Sequence, residues 1–341
     1  MTQYRGRSAV VIENDSIRVT ALLVGGHVAE ILHKETGVNP LWTPPWPSIE
    51  PDTYSLAAHP EYGADSESKL LAGIMGHNLC LDLFGVPTPD EASAGITVHG
   101  EGSVVPYSAE KTKDSLTMTA TLPEAGLRFT RTIRLATHGV VFHEAVENLS
   151  ALDRPIAWTE HVTLGPPFVS SGATELRLPA ARSHSWIVDR EFVWPHAPMA
   201  DGTTSDLRTY TSAASSSNFT VHLLDRAQEQ AYFMALSPSS HVLFGYVWKR
   251  ADFPWLCIWE ENRERRQAPW NGKTITCGLE FGVSPNAETR RAMIDRNRMF
   301  DEPCYRWIPA HSRLEVEYAA FITTANSIPE SLQELQIDVP A

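Results

Sequence analysis

The 341-residue chain has only four cysteines, Cys80, Cys257, Cys277 and Cys304, and no Cys-x-x-Cys pair. Thiolate zinc sites use closely spaced cysteines and small secreted folds use many bridges, so neither is expected here, and buried, reduced thiols are. No apolar run approaches the roughly 18 residues of a spanning helix. Met1 to Val10 lacks the apolar core of a secretory signal, so the expected location is cytoplasmic. Positive charge is scarce as well: the net charge is −13, which argues against nucleic acid and anionic membranes as partners. The chain has no Gly-rich phosphate loop, no Gly-x-Ser-x-Gly elbow, no His-Glu-x-x-His and no EF-hand loop. Nucleotide, serine-hydrolase, zincin and calcium-switch chemistry are left without their usual signatures.

What remains is ordinary core-forming material, 43% hydrophobic and 20% charged, with ten tryptophans and thirteen histidines. Tryptophan suits stacking on flat apolar faces. The dominant pattern is alternation. Leu127, Phe129, Arg131, Ile133 and Leu135 form one alternating set, and Ile156, Trp158, Glu160, Val162 and Leu164 another. Further strands are predicted at Ser16 to Val24, His27 to Leu32, Phe142 to Asn148, Val221 to Leu224, Tyr232 to Leu236, Val242 to Trp248, Leu256 to Trp259 and Leu314 to Phe321. Helical patterning is confined to Asn286 to Arg298, Ser327 to Leu335 and a turn or two within Ser66 to Leu81. Many short strands separated by turn residues indicate an all-β sandwich, here one domain over residues 1–341. The Pro- and Trp-rich stretch from Asn39 to Pro60 is expected to be a long loop packed over a site.

Ile275, Cys277, Leu279, Phe281 and Val283 alternate, so Glu280 faces the other side together with Gly278 and Gly282. Glycines within a strand often mark close approach by a ligand or another backbone. Two of them around a lone carboxylate predict a flat bay, the competing reading being a solvated Glu beside two bulges. His161 shares a face with Thr159 and Thr163, free to reach a ligand and suited to proton transfer near neutrality; the competing reading is a surface histidine. Glu160 falls on the apolar side, where it must be paired. His99-Gly100 allows close backbone approach, although His-Gly is also a common turn. His77 and Asn78 are candidates for hydroxyl hydrogen bonding. Trp255, Trp259 and Trp270, interleaved with Arg263, Arg265 and Arg266, suit a sugar, which has an apolar face and a rim of hydroxyls. Those arginines also suit a phosphate or carboxylate.

In order along the chain these pieces resemble the galactose mutarotase (aldose 1-epimerase) superfamily. The matching pieces are Val24-Gly25-Gly26-His27, His99-Gly100, Asn148 followed by Thr159-Glu160-His161, and Cys277-Gly278-Leu279-Glu280 running to Pro285. The resemblance implies a large antiparallel β-sandwich, the galactose mutarotase-like supersandwich, with few short helices. It implies an isomerase of carbohydrate metabolism that interconverts sugar anomers with ring opening and needs no cofactor or metal. Its partner is then a small-molecule carbohydrate. Glu280 is implied as general base, His161 as general acid, and His99 as a holder of the ring oxygen or a hydroxyl. His161 and Glu280 are expected on opposite sides of a sugar-sized space. The segment after His161 and the Gly73-to-Asn78 region differ from the family pattern, which lacks neither a Ser-Tyr-Phe-Asn-Leu run nor hydroxyl-binding arginines there. Two other functions fit the same residues. One is a non-catalytic carbohydrate-binding protein. The other is a sugar lyase or isomerase using His77, His99, His161 and Glu280 as metal ligands.

Overall fold

The computed structural model describes residues 2–335. Most of its strands form two antiparallel sheets laid face to face, with two further two-stranded ribbons, His196–Pro198 with Thr204–Asp206 and Arg298–Met299 with Glu302–Pro303. The larger is twelve-stranded. From one edge it runs through Thr2–Tyr4, Arg7–Glu13, Ile17–Leu22, Val28–His33, His77–Asp82, Arg154–Leu164, Ile275–Gly282, Trp255–Asn262, Ser216–Leu224, Ala180–Ser185 and Arg190–Phe192. Arg306–Ile308 pairs with the start of Arg154–Leu164. The second sheet has eight strands, with Val242–Lys249, Arg313–Thr324 and Gly139–Asn148 near its centre.

Alternation explains the packing. Trp158, Val162, Leu279 and Phe281 leave the large sheet on its inner face and meet Phe142, Tyr246, Trp248 and Tyr318 of the second sheet in one buried cluster. Trp248 stacks on Phe281 with ring centroids 4.2 Å apart. Burying each such side chain contributes about 1.5–3 kcal/mol. Within this apolar layer Glu160 is paired, as its position requires. Arg131 Nη2 donates to it at 2.6 Å, His77 Nε2 at 2.7 Å and Trp158 Nε1 at 2.9 Å. Arg131 Nε also donates to Glu144 at 2.5 Å, and Tyr318 OH to Glu144 at 2.6 Å. This network pins the strand that carries His161 from behind.

The segment from Ser66 to Leu81 holds a short helix, Ser68–Gly73, and then the strand His77–Asp82. The expected helix at Asn286 to Arg298 is shorter, Arg290–Arg296, capped by Thr289. The expected terminal helix at Ser327 to Leu335 reduces to a single 3-10 turn, Leu332–Glu334, with no residue of that turn buried to hold a longer one. All four cysteines are buried and free. Among the described residues no helix is long and apolar enough to cross a membrane.

Candidate functional site

Register places the chemistry. Across the large sheet Asn78 lies opposite His161, His161 opposite Glu280, and Glu280 opposite Cys257. Directly paired residues share a face, so this row lies on the face turned away from the second sheet. One strand step further, Thr163, Gly278 and Trp259 form a parallel row. The His161 and Glu280 side chains therefore touch: Nε2 lies 3.1 Å from Oε1. They sit side by side and not across a sugar-sized gap as expected, because neighbouring strands in register leave no room for a ring between them.

Both groups are nearly sealed from water, at 3% and 2% exposure. Burial pushes the Glu280 carboxyl up to about 8. Burial, and then the nearby His99 ring, pushes His161 well below its ordinary value. Burial thus disfavours the charged form of both members of the pair. His161 Nε2 and Glu280 Oε1 are in contact at 3.1 Å, and His161 Nδ1 is bonded to Thr163 Oγ1 at 3.0 Å.

The two glycines do not leave an empty bay. A methyl built on Gly278 would lie 2.6 Å from the Glu280 carboxylate oxygen and 3.2 Å from the Trp259 ring. One built on Gly282 would run into the Trp158 and Thr159 backbone. Gly278 thus makes room for the carboxyl and the Trp259 ring, and Gly282 for the neighbouring strand.

His161, Glu280, His99, Trp259, Trp270 and Arg265 line one cavity of about 530 Å³. His99 Nδ1 is 2.8 Å from the Phe84 carbonyl, which only accepts, so Nδ1 carries the hydrogen. Burial pushes His99 down to about 4, with the Phe84 bond opposing, so the ring is neutral and Nε2 is left as an acceptor. Its ring lies 5.1 Å from that of His161. Trp259 and Trp270 meet edge to face at 6.0 Å. The Arg265 guanidinium covers them, 4.6 Å from Trp270 and 5.5 Å from Trp259. Arg265 is itself held by Glu67 at 3.2 Å and by Glu261 at 3.7 Å.

Three sequence candidates fall elsewhere. His77 lies in the core between the sheets, bonded to Glu160 and to Tyr246 OH at 3.0 Å. Consecutive strand residues face opposite ways, so His77 and Asn78 cannot share a role. Asn78 lies on the His161 face but is fully buried, gives Nδ2 to Ser103 Oγ at 3.2 Å, and does not line the cavity. Arg263 has φ 58° and turns away to Asn262 Oδ1 at 3.2 Å; Arg265 supplies the cavity's guanidinium. With His77 on the other face of the sheet, the set His77, His99, His161 and Glu280 cannot converge on one ion. The sequence reading missed Asp65, Glu67, Val86, Ile187 and Phe219, which also line the cavity. Glu67 meets Arg265 only through tertiary folding, and nothing local marks it.

No protein-family model matches the sequence, and no curated protein matches it. Solved structures do. A candidate aldose 1-epimerase from Klebsiella pneumoniae aligns over 92% of this chain and 78% of its own, with TM-score 0.67 and 13% identity. A galactose mutarotase-like protein from Clostridium acetobutylicum aligns over 95% and 97%, with TM-score 0.64 and 14% identity. Another from Lactobacillus casei aligns over 93% and 100%, with TM-score 0.58 and 13% identity. Likeness over nearly the whole chain at such low identity is a likeness of backbone, and this chain has the galactose mutarotase-like fold.

Proposed function

We propose that the protein is an aldose 1-epimerase-like isomerase that interconverts the anomers of an uncharged aldose. The observation that carries this reading is the buried His161–Glu280 contact at the floor of an aromatic-walled cavity. Ring opening removes a proton from the anomeric hydroxyl and adds one to the ring oxygen. Those two oxygens sit on one carbon, so acid and base must lie close together. A pair sharing one proton supplies both functions at once. Glu280, which holds the proton at rest, protonates one oxygen while His161 Nε2 accepts from the other. The open chain turns about its C1–C2 bond, and the same pair reverses the transfer to close the other anomer. The assignment of Glu280 as base and His161 as acid is thus one half of a cycle whose other half has the roles exchanged. No net proton is gained or lost.

His99 Nε2 can only accept, so its partner is a sugar hydroxyl and not the ring oxygen. Trp259 offers the apolar platform. Arg265 is opposed by Glu67 and Glu261, and Asp65 also faces the cavity, so an anionic group finds no unopposed cation there. That favours a neutral ring over a phosphorylated one. NMR exchange spectroscopy over a panel of neutral aldoses, uronic acids and sugar phosphates tests the reading. Accelerated α/β exchange of a neutral aldose is expected. A folded protein that accelerates none of them refutes it.

A further inference from the structure

A second cavity of about 350 Å³ opens at the far end of the strands that carry the catalytic pair. Its wall includes Pro254 and Val283, immediately beyond Trp255 and Gly282. Val283 is three residues from Glu280, or about 10 Å along the strand. The buried cluster around Cys80, Phe84, Cys257 and Met293 occupies the same face near Glu280. Of the ten tryptophans only Trp307 is exposed, at 54%, and it lines this cavity. Tyr305 stands edge-on to it with ring centroids 5.9 Å apart and an interplanar angle of 77°. Together they form an aromatic floor and side wall.

The polar groups around that corner are held in place but not used up. Arg306 Nη2 donates to the carbonyls of Asp252 at 2.6 Å and Ala251 at 3.0 Å. Its other guanidinium donors have no acceptor among the described residues. Glu302 Oε2 accepts from Arg250 at 2.6 Å and Arg226 at 3.1 Å, which leaves Oε1 as an acceptor. Asn297 Oδ1 accepts from Tyr305 OH at 3.4 Å, leaving its amide hydrogens. Arginine outnumbers carboxylate here: Arg226 and Arg250 share Glu302, Asp252 opposes Arg306, and Arg298 also lines the cavity with its Nη2 on the Asp301 carbonyl at 2.7 Å. A flat exposed aromatic face with preset donors and acceptors at its rim matches a saccharide. A pyranose has an apolar face bordered by hydroxyls that both donate and accept.

We propose that this cavity is a second saccharide-binding site, with the ring stacked on Trp307 and its hydroxyls shared among Glu302, Arg306 and Asn297. It requires no catalysis at the first site. Isothermal titration of the wild-type protein, Trp307→Ala and Trp259→Ala with neutral mono- and oligosaccharides tests it, with anomer exchange and sedimentation velocity measured alongside. Two binding events are expected in the wild type. Trp307→Ala weakens one of them by roughly tenfold or more and leaves anomer exchange unchanged, whereas Trp259→Ala weakens the other. Because Trp307 is more than half exposed, its loss leaves the fold intact; Tyr305→Ala provides a second probe of the same wall. The proposal is overturned if Trp307→Ala and Tyr305→Ala both titrate like the wild type or if the wild type shows no second event. It is equally overturned if the substitutions instead dissociate a dimer, which would make a second copy of the chain the occupant.

Discussion

Replacing Glu280 by Gln should abolish anomer exchange and, above about pH 6, make the protein more stable. In the folded state burial holds the carboxyl's pKa at about 8, whereas an unperturbed glutamate titrates at 4.5. A group whose folded pKa is raised contributes stability that is complete below the unfolded value and is lost as pH rises through the folded value. Each pH unit over which the folded state keeps a proton that the unfolded chain has released is worth about 1.4 kcal/mol. Between 4.5 and neutrality this amounts to a penalty on the order of 3 kcal/mol for the wild-type protein. Glutamine carries no such penalty. It fills nearly the same volume and places a neutral amide beside His161 Nε2. Urea titrations at about pH 5 and about pH 8 check this. The stability difference in favour of Glu280→Gln should be small at the lower pH and of kcal/mol size at the higher one. If His161 and Glu280 were instead an imidazolium–carboxylate pair, removing one charge would strand the other and cost about 3–5 kcal/mol. A Gln variant less stable than wild type at pH 8, or one that still accelerates exchange, would therefore refute the reasoning.

His161→Asn should lower kcat for anomer exchange by about 10²–10⁴-fold with little change in KM, since the imidazole moves a proton and does not grip the ring. Gly278→Ala and Gly282→Ala should separate function from stability. The first displaces Glu280 and Trp259 and is read as lost exchange in a folded protein; the second strikes the neighbouring backbone and is read in denaturation as a loss of about 1–3 kcal/mol. Arg131→Met should cost about 3–5 kcal/mol in the same assay, because it leaves the buried Glu160 without its cation. Glu67→Gln removes the carboxylate nearest Arg265 and should raise kcat/KM for phosphorylated relative to neutral aldoses in competition experiments.

How far the sequence could be read depended on whether the information was local. Period-2 alternation assigned Trp158, Val162, Leu279 and Phe281 to the core and His161 and Glu280 to the opposite face, and it required a partner for Glu160. Each of these statements concerns one strand, where side-chain direction follows from position alone. The segment around His77 reads as partly helical, so the alternation that separates it from Asn78 emerges only with the strand His77–Asp82. Register between strands is a different kind of information. Nothing near residue 161 or 280 says that the two are directly paired, yet that pairing turns a sugar-sized gap into a 3.1 Å contact.

The same division runs through the site itself. His161 and Glu280 sit on adjacent central strands, pinned from the core side by the Glu160 network, so their separation is fixed by the hydrogen-bond ladder and not by any loop. The groups that would recognise a substrate lie mainly at strand ends and in connections: Asp65 and Glu67 before a short helix, His99 in a Gly-rich turn, Arg265 and Trp270 in the segment after Trp255–Asn262. Loops tolerate change that a paired strand does not. The separation of His161 and Glu280 is therefore set by the paired strands, and the rest of the cavity wall by segments free to vary. The arginine that faces the cavity, Arg265, and the carboxylate that restrains it, Glu67, are 198 positions apart, so a substrate class inferred from either residue alone would have the wrong charge.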